Sequence, residues 1–251
     1  MGESYTALAK VYDALMRDVA YDEWAAYIHG FLLRNGKPEA VIADCACGTG
    51  QLSIRLAQFG HRVTGVDRSE SMLQEAAENA RQNGLMIPFV QQDMRKLQLH
   101  KQADAIVCAC DGVNYLLSAS DVRAFFKAAH AALKPGGLLL FDVSSRYKLQ
   151  HVLGCNTFGE AEDSCAYLWK NSYDASSHLC EMQLTLFVSN GGLYERFEER
   201  HIQRGHSVRE LRSWLEAAGF IQVEAYEAFT LNVPKDETER IQFAAVKPLI
   251  L

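Results

Sequence analysis

The sequence lacks the long apolar segment that a membrane-spanning helix needs. No uninterrupted apolar stretch among its 251 residues reaches the roughly 20 residues that cross a bilayer. The first residues, MGESYTALAK, also lack the pattern of a signal peptide, in which basic residues precede an apolar stretch. We therefore expect a cytoplasmic protein that does not associate with a membrane.

An excess of basic residues is missing as well. The formal net charge is −6, and lysine and arginine are scattered along the chain. A surface that binds a nucleic-acid backbone needs clustered positive charge, so we expect no nucleic-acid partner. Hydrophobic residues make up 49% of the chain and charged residues 22%, which suits one α/β domain or such a domain carrying an insertion.

The seven cysteines do not have the spacing typical of a metal site. Four of them form two Cys-x-Cys pairs, Cys45 with Cys47 and Cys108 with Cys110. Zinc sites usually separate paired cysteines by two or more residues, and free cysteine is a common small core residue. We expect free thiols in a reducing compartment and no metal.

From residue 40 onward, apolar runs of strand length alternate with stretches of helical periodicity. This order is typical of βαβ units and of a parallel sheet with helices on both faces. The predicted fold class is therefore α/β and Rossmann-like. Strands are predicted at 40–46, 61–67, 86–92, 103–109, 137–143, 220–229 and 240–247, and a capping box at Ser207 to Glu210 predicts a further helix before the last two.

Two segments interrupt this alternation. Residues 1–37 are predicted to form an amphipathic, helical lid at the N-terminus. Residues 151–204 are predicted to form an antiparallel β insert, with strands at 164–173, 179–189 and 193–203. The core domain is then formed by residues 38–150 and 205–251.

A glycine loop joins the first predicted strand to its helix, in the sequence Asp44-Cys45-Ala46-Cys47-Gly48-Thr49-Gly50. Gly48 and Gly50 lack the Cβ that would keep a ligand from the main chain. A strand, a glycine-rich turn and a helix are also typical of nicotinamide dinucleotide sites. The third glycine of that motif is missing, however, and the carboxylate of Asp44 would repel a pyrophosphate but attract an ammonium group.

Two further acids end predicted strands. Asp67 ends the second strand, where it can accept hydrogen bonds from both hydroxyls of a ribose, as it would in a nicotinamide site. Asp93 ends the third strand, where it can accept from an adenine amino group while Met94 packs against the ring. Each acid alone is also explained as a helix cap or a solvated turn residue. Together with Asp44 they indicate one ligand site at the carboxyl edge of the sheet.

With these residues the core, over 38–145, resembles the class I S-adenosylmethionine-dependent methyltransferases, whose first motif runs Asp-x-Gly-x-Gly-x-Gly. The resemblance implies a seven-stranded sheet with an antiparallel last strand and S-adenosylmethionine as cofactor. Ala46 stands where many members have the first glycine. The cofactor-binding residues that we predict are Tyr5, Tyr12, Asp44, Ala46, Cys47, Gly48, Gly50, Asp67, Arg68, Met72, Asp93, Met94 and Cys110.

The form Asp-x-Ala-Cys-Gly-Thr-Gly and the amino-terminal Tyr5-x-x-Leu8-Ala9-x-x-Tyr12-Asp13 are also similar to aminosugar N-methyltransferases. In those relatives, amino-terminal helices close over the cofactor. The resemblance therefore implies that Tyr5 and Tyr12 bind the methionine carboxylate or line the acceptor pocket.

Methyl transfer is an in-line displacement. It needs alignment of the methyl donor with the acceptor and the exclusion of water, rather than a nucleophilic residue of the protein. The candidate catalytic residues are His201, Tyr12 and Asn114. His201 shares a predicted strand face with Glu199, and histidine is the residue type that exchanges protons near neutral pH. Asn114 and Tyr115 follow the fourth strand, where the family places residues beside the methyl group, although a cap and a packing role explain them equally well.

The Asn-Pro-Pro-Tyr pattern of nucleic-acid and protein-glutamine N-methyltransferases is absent, which favours a small-molecule acceptor methylated on nitrogen or oxygen. The β insert at residues 151–204 is expected to lie over the acceptor site. Two other functions stay open at this point. One is a non-catalytic module that binds S-adenosylmethionine or S-adenosylhomocysteine, and the other is a nicotinamide-dependent oxidoreductase. The protein is expected to be a monomer or a homodimer.

Overall fold

The computed structural model describes residues 19–161 and 165–249. The strands are β1 (Val41–Cys45), β2 (Arg62–Asp67), β3 (Phe89–Gln91), β4 (Ala103–Cys108), β5 (Leu133–Ser144), β6 (Thr157–Ala161), β7 (Cys165–Asp174), β8 (Leu179–Asn190), β9 (Leu193–Arg204), β10 (Ile221–Glu227) and β11 (Arg240–Val246). The α-helices are α1 (Tyr21–Arg34), α2 (Gln51–Gln58), α3 (Glu70–Gln82), α4 (Ala119–Ala132) and α5 (Val208–Ala217).

Seven strands form the larger sheet, in the order β10-β11-β5-β4-β1-β2-β3. Strands β1 to β5 are parallel to one another, whereas β11 is antiparallel to both β5 and β10. The Rossmann-like fold class and the antiparallel last strand are thus confirmed. Strand β1 lies between β2 and β4, so the connections on its two sides run in opposite directions. This divergence opens a crevice at the carboxyl ends of these strands.

Helices cover both faces of this sheet because each turns one apolar stripe inward. On one face, α1 and α2 pack against β1, β4 and β5 through Trp24, Ile28, Phe31, Leu32, Leu52 and Leu56. On the other face, α4 and α5 pack through Val122, Phe125, Phe126, Leu211, Trp214 and Leu215. The strands between them are buried on both faces, as expected for a parallel sheet.

Serine residues set the start of three helices. The hydroxyl oxygens of Ser69 and Ser118 accept backbone hydrogen bonds from Met72 and Asp121, at the first turns of α3 and α4. Ser207 and Glu210 form the predicted capping box of α5. These caps satisfy amide groups that have no partner within the helix.

The smaller sheet is antiparallel, with the order β6-β7-β8-β9. Its strands alternate between an outer polar face and an inner face on which Cys180, Met182 and Leu186 are buried. Three of its strands agree with the predicted meander. Strand β6 was missed because all five of its residues are exposed and carry no apolar alternation.

Strand β5 also differs from its prediction. It begins at Leu133, directly after α4, instead of at residue 137. Leu133 pairs with Ala103 and Leu138 with Ala105, so Lys134 to Gly137 form a bulge within the strand. Buried Leu133 starts the pairing before the Pro-Gly-Gly turn, which the sequence pattern assigned wholly to the connection.

The second predicted amphipathic helix is present as α1, whereas the first lies outside the described residues. Among the residues that the structure describes, no helix is both long and apolar enough to cross a membrane.

Candidate functional site

A cavity of about 350 Å³ lies at the carboxyl edge of the larger sheet. It is lined by the loops that follow β1, β2, β3 and β4, where the topology places the crevice. Most residues of the predicted cofactor set line it, namely Asp44, Ala46, Cys47, Gly48, Asp67, Arg68, Met72, Asp93, Met94 and Cys110. Among the residues that the structure describes, the acidic and basic side chains of this lining are four carboxylates and two guanidinium groups.

The glycine loop has three residues in the left-handed region, two of which, Ala46 and Gly48, line the cavity. The φ angles are 55° at Ala46, 54° at Gly48 and 77° at Gly50. A Cβ at Gly48 would meet no atom of the described residues within 4 Å, so these residues leave the main chain open toward the cavity. The methyl group of Ala46 is accommodated by Gly112, where a Cβ would lie 3.0 Å from it.

Gly50 has a different role from the one that the sequence suggested. It does not line the cavity. A Cβ at Gly50 would lie 3.0 Å from Cβ of Ala76 and 3.1 Å from the ring of Phe89. Gly50 therefore permits close packing and the left-handed turn before α2, rather than the approach of a ligand.

Asp44 is a buried carboxylate at the end of β1. Its Oδ2 accepts a hydrogen bond from the Ser53 hydroxyl at 2.5 Å. Burial raises the pKa of this carboxyl group to about 7, the hydrogen bond from Ser53 opposes the rise, and the charge of Asp67 adds to it. A cationic group in the cavity would favour the ionised form of Asp44.

Asp67 ties the end of β2 to the glycine loop. Its Oδ2 accepts from the Gly48 amide at 3.0 Å and its Oδ1 accepts from the Ser69 amide at 2.9 Å. Each carboxylate oxygen can accept a second hydrogen bond. Both oxygens of Asp67 therefore retain capacity for a donor in the cavity, such as a pair of hydroxyl groups.

Asp93 is held by Arg95, which the sequence reasoning missed. The guanidinium of Arg95 donates to both oxygens of Asp93 and, through Nη1, to Asp121 at 2.7 Å. The side-chain hydrogen bonds from Arg95 lower the pKa of Asp93, so this carboxylate is ionised at neutral pH. The Asp-x-Arg spacing was the available signal, but Asp121 lies on a distant helix.

The thiols of Cys47 and Cys110 also line the cavity. Burial raises the pKa of both thiols well above the usual value. A protonated thiol is a weak nucleophile, so the two cysteines contribute shape and low polarity rather than covalent chemistry. Within residues 19–161 and 165–249, no three His, Cys, Asp or Glu side chains are placed to share a metal ion.

Asn114 lies beside the cavity rather than in its lining. Its side chain is fully buried, and its Nδ2 donates to the carbonyl oxygens of Ser144 at 3.0 Å and Arg204 at 2.9 Å. Its Oδ1 accepts from the Ser144 amide at 2.9 Å. Asn114 thereby joins the turn after β4 to β5 and to β9, and its neighbour Tyr115 lines the cavity.

His201 lies on the inner face of the smaller sheet, outside the cavity lining. Its Nε2 is 3.3 Å from Oε2 of Glu199, and both side chains are only 7% exposed. The ring of His201 meets the ring of Tyr115 edge to face, with centroids 6.2 Å apart. The predicted Tyr5 and Tyr12 lie outside the described residues.

Several lining residues had no place in the sequence-based prediction. They are Tyr21, Thr49, Gln51, Leu52, Ser69, Gln92, Arg95, Ala109, Gly112, Leu116 and Asp121. Most are adjacent to a predicted residue, and could have been found by including the neighbours of each strand end. Together, the described lining residues make the cavity acidic and partly apolar, with exposed main chain. Such a cavity can hold a cationic ligand that carries hydroxyl groups and a ring.

The comparisons with known proteins are consistent with a ligand site in this cavity. Residues 42–137 match the family described as "Methyltransferase domain". The chain is 40% identical over 245 residues to a protein of Bacillus subtilis (strain 168) named "Putative methyltransferase YqeM", and the match covers 97% of each chain.

Two solved structures extend the comparison. A crystal structure of an S-adenosylmethionine-dependent methyltransferase from Clostridium acetobutylicum ATCC 824 superposes with a TM-score of 0.86 at 32% identity, covering 97% of this chain and 99% of the other. The S-adenosylmethionine-bound structure of CalS10, an amino pentose methyltransferase from Micromonospora echinaspora, superposes with a TM-score of 0.75 at 22% identity, covering 94% of this chain and 96% of the other. The second likeness concerns the fold alone.

Proposed function

The chain belongs to the S-adenosylmethionine-dependent methyltransferases, and from this premise we propose that it methylates a small molecule on nitrogen or oxygen. The enzyme class and the cofactor, S-adenosylmethionine, follow from the family. The nicotinamide-dependent reaction and the non-catalytic module that the sequence left open are thereby set aside. The nature of the acceptor rests on the chemistry of the cavity.

The observation that carries the proposal is the charge of the cavity lining. In the described part of the lining, four carboxylates, on Asp44, Asp67, Asp93 and Asp121, accompany two guanidinium groups, and Arg95 is already paired with two of these acids. A phosphate-rich acceptor such as a nucleic acid would be repelled by this excess of negative charge. A neutral or cationic small molecule fits the cavity better.

The residues present fit the cofactor. The open main chain at Gly48 and the buried carboxylate of Asp44 suit the amino-acid part, in particular its ammonium group. The two oxygens of Asp67 suit a pair of ribose hydroxyls, and Asp93 with Met94 suits the adenine. The remaining walls of the cofactor site would be formed by Cys47, Arg68, Met72 and Cys110. The assignment of each residue, with Ala46, Tyr5 and Tyr12, is part of the proposal.

S-adenosylmethionine supplies a methyl group bound to a positively charged sulfur atom. The protein's part is to align the two reactants and exclude water, which accounts for about 7–11 kcal/mol of barrier reduction in well-oriented reactions. Tyr115 and Cys110 line the cavity after β4, and Asn114 holds this turn through its backbone hydrogen bonds. We propose that Asn114 positions the acceptor wall, and that His201 and Tyr12 contact the acceptor.

Isothermal titration with S-adenosylmethionine tests the site. Asp67→Ala removes the acceptors for two hydroxyl groups, each hydrogen bond to a charged group contributing about 1.5–3 kcal/mol, and we expect binding at least tenfold weaker. Asp236→Ala, in an exposed loop outside the cavity lining, serves as the control and should bind normally. An unchanged affinity in Asp67→Ala would refute this placement of the cofactor.

The acceptor is tested separately, with the methyl-labelled cofactor and two pools of acceptor, a small-molecule extract and total cellular RNA. We expect label in the small-molecule pool. Label confined to RNA would overturn the proposed acceptor class while leaving the enzyme class intact. The cytoplasmic location and the monomeric or homodimeric state stay predictions, which cell fractionation and light scattering of the purified protein would test.

A further inference from the structure

Asp93, Arg95 and Asp121 are linked by ion pairs along one wall of the cavity, which all three residues line. Nε of Arg95 lies 3.0 Å from each carboxylate oxygen of Asp93, and Nη2 donates to Oδ2 of the same residue. Nη1 donates to Oδ1 of Asp121 at 2.7 Å. One guanidinium group therefore joins the segment that follows β3 to the first turn of α4.

Both acids are also fixed by hydrogen bonds within their own segments. Oδ1 of Asp93 accepts from the Arg95 amide at 3.0 Å, and Oδ2 of Asp121 accepts at 2.7 Å from the hydroxyl of Ser118, the N-cap of α4. The side chains of Asp93, Arg95 and Asp121 are 24%, 34% and 32% exposed. Salt screens partly buried ion pairs much less than exposed ones, so Arg95 is anchored at both ends.

These contacts leave Asp93 with capacity for one further hydrogen bond. A carboxylate has about four acceptor positions on its two oxygens. Among the described residues, the N–H groups that donate to Asp93 are three, all of them on Arg95: the backbone amide, Nε and Nη2. The remaining acceptor position suits a single N–H of a ligand in the cavity.

We propose that Arg95 is a positioning residue that makes the cavity select a nucleoside base with an exocyclic amino group, because it holds Asp93 in one orientation. Asp121 anchors the guanidinium group from the opposite side of the chain of charges. This inference deepens the proposed function and rests on its placement of the adenine beside Asp93.

The selectivity depends on the group that the base turns toward Asp93. An amino group donates to a carboxylate, whereas a carbonyl oxygen at the same position presents a lone pair to a negative charge. The hydrogen bonds from Arg95 lower the pKa of Asp93, so at neutral pH this side chain accepts and cannot donate to a carbonyl oxygen. A carboxylate that is held firmly also cannot turn away from that oxygen. Arg95 should therefore affect the rejection of the wrong base as well as the affinity for the right one.

Two ligands that differ at this position test the inference. S-adenosylhomocysteine carries the amino group, and S-inosylhomocysteine carries a carbonyl oxygen in its place. Isothermal titration of the full-length protein at neutral pH gives the two affinities and their ratio. We expect the adenosyl compound to bind at least about tenfold more tightly, the size of one hydrogen bond to a charged group. Equal affinities overturn the inference.

Variants of the two paired residues assign the selectivity. Arg95→Met removes the guanidinium group, and we expect the affinity ratio to fall by about fivefold, the size of one net hydrogen bond. Arg95→Lys, whose ammonium group lacks the planar fork, should recover only part of the ratio. Asp93→Asn adds an N–H that can donate to the carbonyl oxygen, so the ratio should approach one. Arg81→Met makes the matched change in an exposed pair with Glu78 on α3 and should leave the ratio unaltered.

The outcomes separate this inference from the proposed function. A structural role for Arg95 would weaken both ligands alike and leave their ratio unchanged in Arg95→Met, which refutes the inference. An unchanged ratio in Asp93→Asn, which keeps the size of the side chain, refutes it independently. In both cases Asp67→Ala should still weaken both ligands, because their ribose is the same. Failure of the proposed function would instead appear as undiminished binding of both ligands to Asp67→Ala.

Discussion

Arg240 and Asp111, which are 129 residues apart in the chain, meet at a distance of 2.6 Å between Nη1 and Oδ1. Arg240 lies on the antiparallel strand β11, and Asp111 follows β4 at a φ of 68°. The same guanidinium contacts Asp142 on β5, whose side chain is fully buried. One cation therefore holds two carboxylates and fixes the turn that leads into the wall of the cavity.

Removal of this cation should be strongly destabilising. In Arg240→Met both carboxylates lose the cation and keep only their hydrogen bonds from Ser144 Oγ and the Asp111 amide, and breaking a buried ion pair in this way costs about 3–5 kcal/mol of unfolding free energy. Urea unfolding followed by circular dichroism measures the loss. Asp142→Asn in the same background removes one of the two unpaired charges and should restore part of it.

Arg200→Met is the matched control for Arg240→Met. Arg200 pairs with Glu181 on the outer face of the smaller sheet and is 62% exposed. Exposed ion pairs contribute about 0–1 kcal/mol. If the two methionine variants proved equally stable, the buried cluster would have no special part in holding the fold.

Asn114 provides a second test, in which charge and hydrogen bonding are separated. Asn114→Ala leaves the buried amide of Ser144 and two carbonyl groups without a partner, and each unsatisfied group costs about 1–3 kcal/mol. Asn114→Asp keeps the acceptor but, above pH 7, turns a carboxylate toward the carbonyl oxygens of Ser144 and Arg204. We expect Asn114→Asp to be less stable than Asn114→Ala at pH 8.

Acidification should reverse that difference. Once protonated, the carboxyl group that Asn114→Asp introduces can donate one hydrogen bond to a carbonyl oxygen. The stability of Asn114→Asp should therefore rise relative to Asn114→Ala as the pH falls from 8 to 5. Urea unfolding at each pH supplies the comparison. A pH-independent gap between the two variants would show that the carbonyl groups do not face this side chain.

The sequence predicted the larger sheet well because its central parallel strands, β1, β4 and β5, are buried on both faces and are therefore apolar runs. The predicted ends of the first two strands, at residues 46 and 67, agree with the observed ends at Cys45 and Asp67 to within one residue. The exposed strand β6 carries no such signal, and the start of β5 at Leu133 depends on pairing with Ala103, which only the folded sheet reveals.

The candidate site also has one part that local sequence patterns predict and one part that only the packing of distant elements determines. Local order along the chain was enough to bring Asp44, Asp67 and Asp93 to one edge, because parallel strands end on the same side. Contacts between distant elements could not be read from local patterns. The pairing of Arg95 with Asp121, and of Arg240 with Asp111, each joins segments whose proximity is set by the packing of helices and strands.

Gly65 gives a prediction about close packing beside the cavity. It pairs with Phe89 across β2 and β3, and a Cβ at Gly65 would lie 2.4 Å from the Phe89 ring and 3.0 Å from Sγ of Cys47. Gly65→Ala therefore forces the ring or the glycine loop to move. We expect a loss of about 1–3 kcal/mol from overpacking and weaker cofactor binding, measured by urea unfolding and isothermal titration.

Gly30→Ala is the opposite case and controls for the change from glycine to alanine. Gly30 lies within α1, and among the described residues a Cβ there would meet Nη1 of Arg34 alone, at an ordinary 3.6 Å. Alanine is favoured over glycine in a helix by about 0.8–1.0 kcal/mol. Gly30→Ala should therefore be stabilised with unchanged cofactor binding, and similar effects of both variants would speak against the tight packing at Gly65.

His206 makes the stability of the fold depend on pH. Its imidazole is buried, and its Nε2 lies 3.0 Å from the carbonyl oxygen of Leu116. The neutral ring donates a hydrogen bond from Nε2 to this oxygen. Burial lowers the pKa of His206 to about 4, with the charge of Arg204 acting in the same direction. The unfolded chain therefore takes up this proton at a higher pH than the folded chain does, near the usual histidine value of about 6.5.

The stabilisation from neutral His206 is thus complete above about pH 6.5 and is lost as the pH falls toward 4, by up to about 1.4 kcal/mol per pH unit. His206→Gln keeps an N–H donor but cannot titrate. We expect the unfolding free energy of the natural protein, minus that of His206→Gln, to be constant from pH 7 to 8 and to fall steadily between pH 6 and 4. Other titrating groups are common to both proteins, so a difference that stayed flat across this interval would mean that His206 takes up its proton equally well in the folded and unfolded chains.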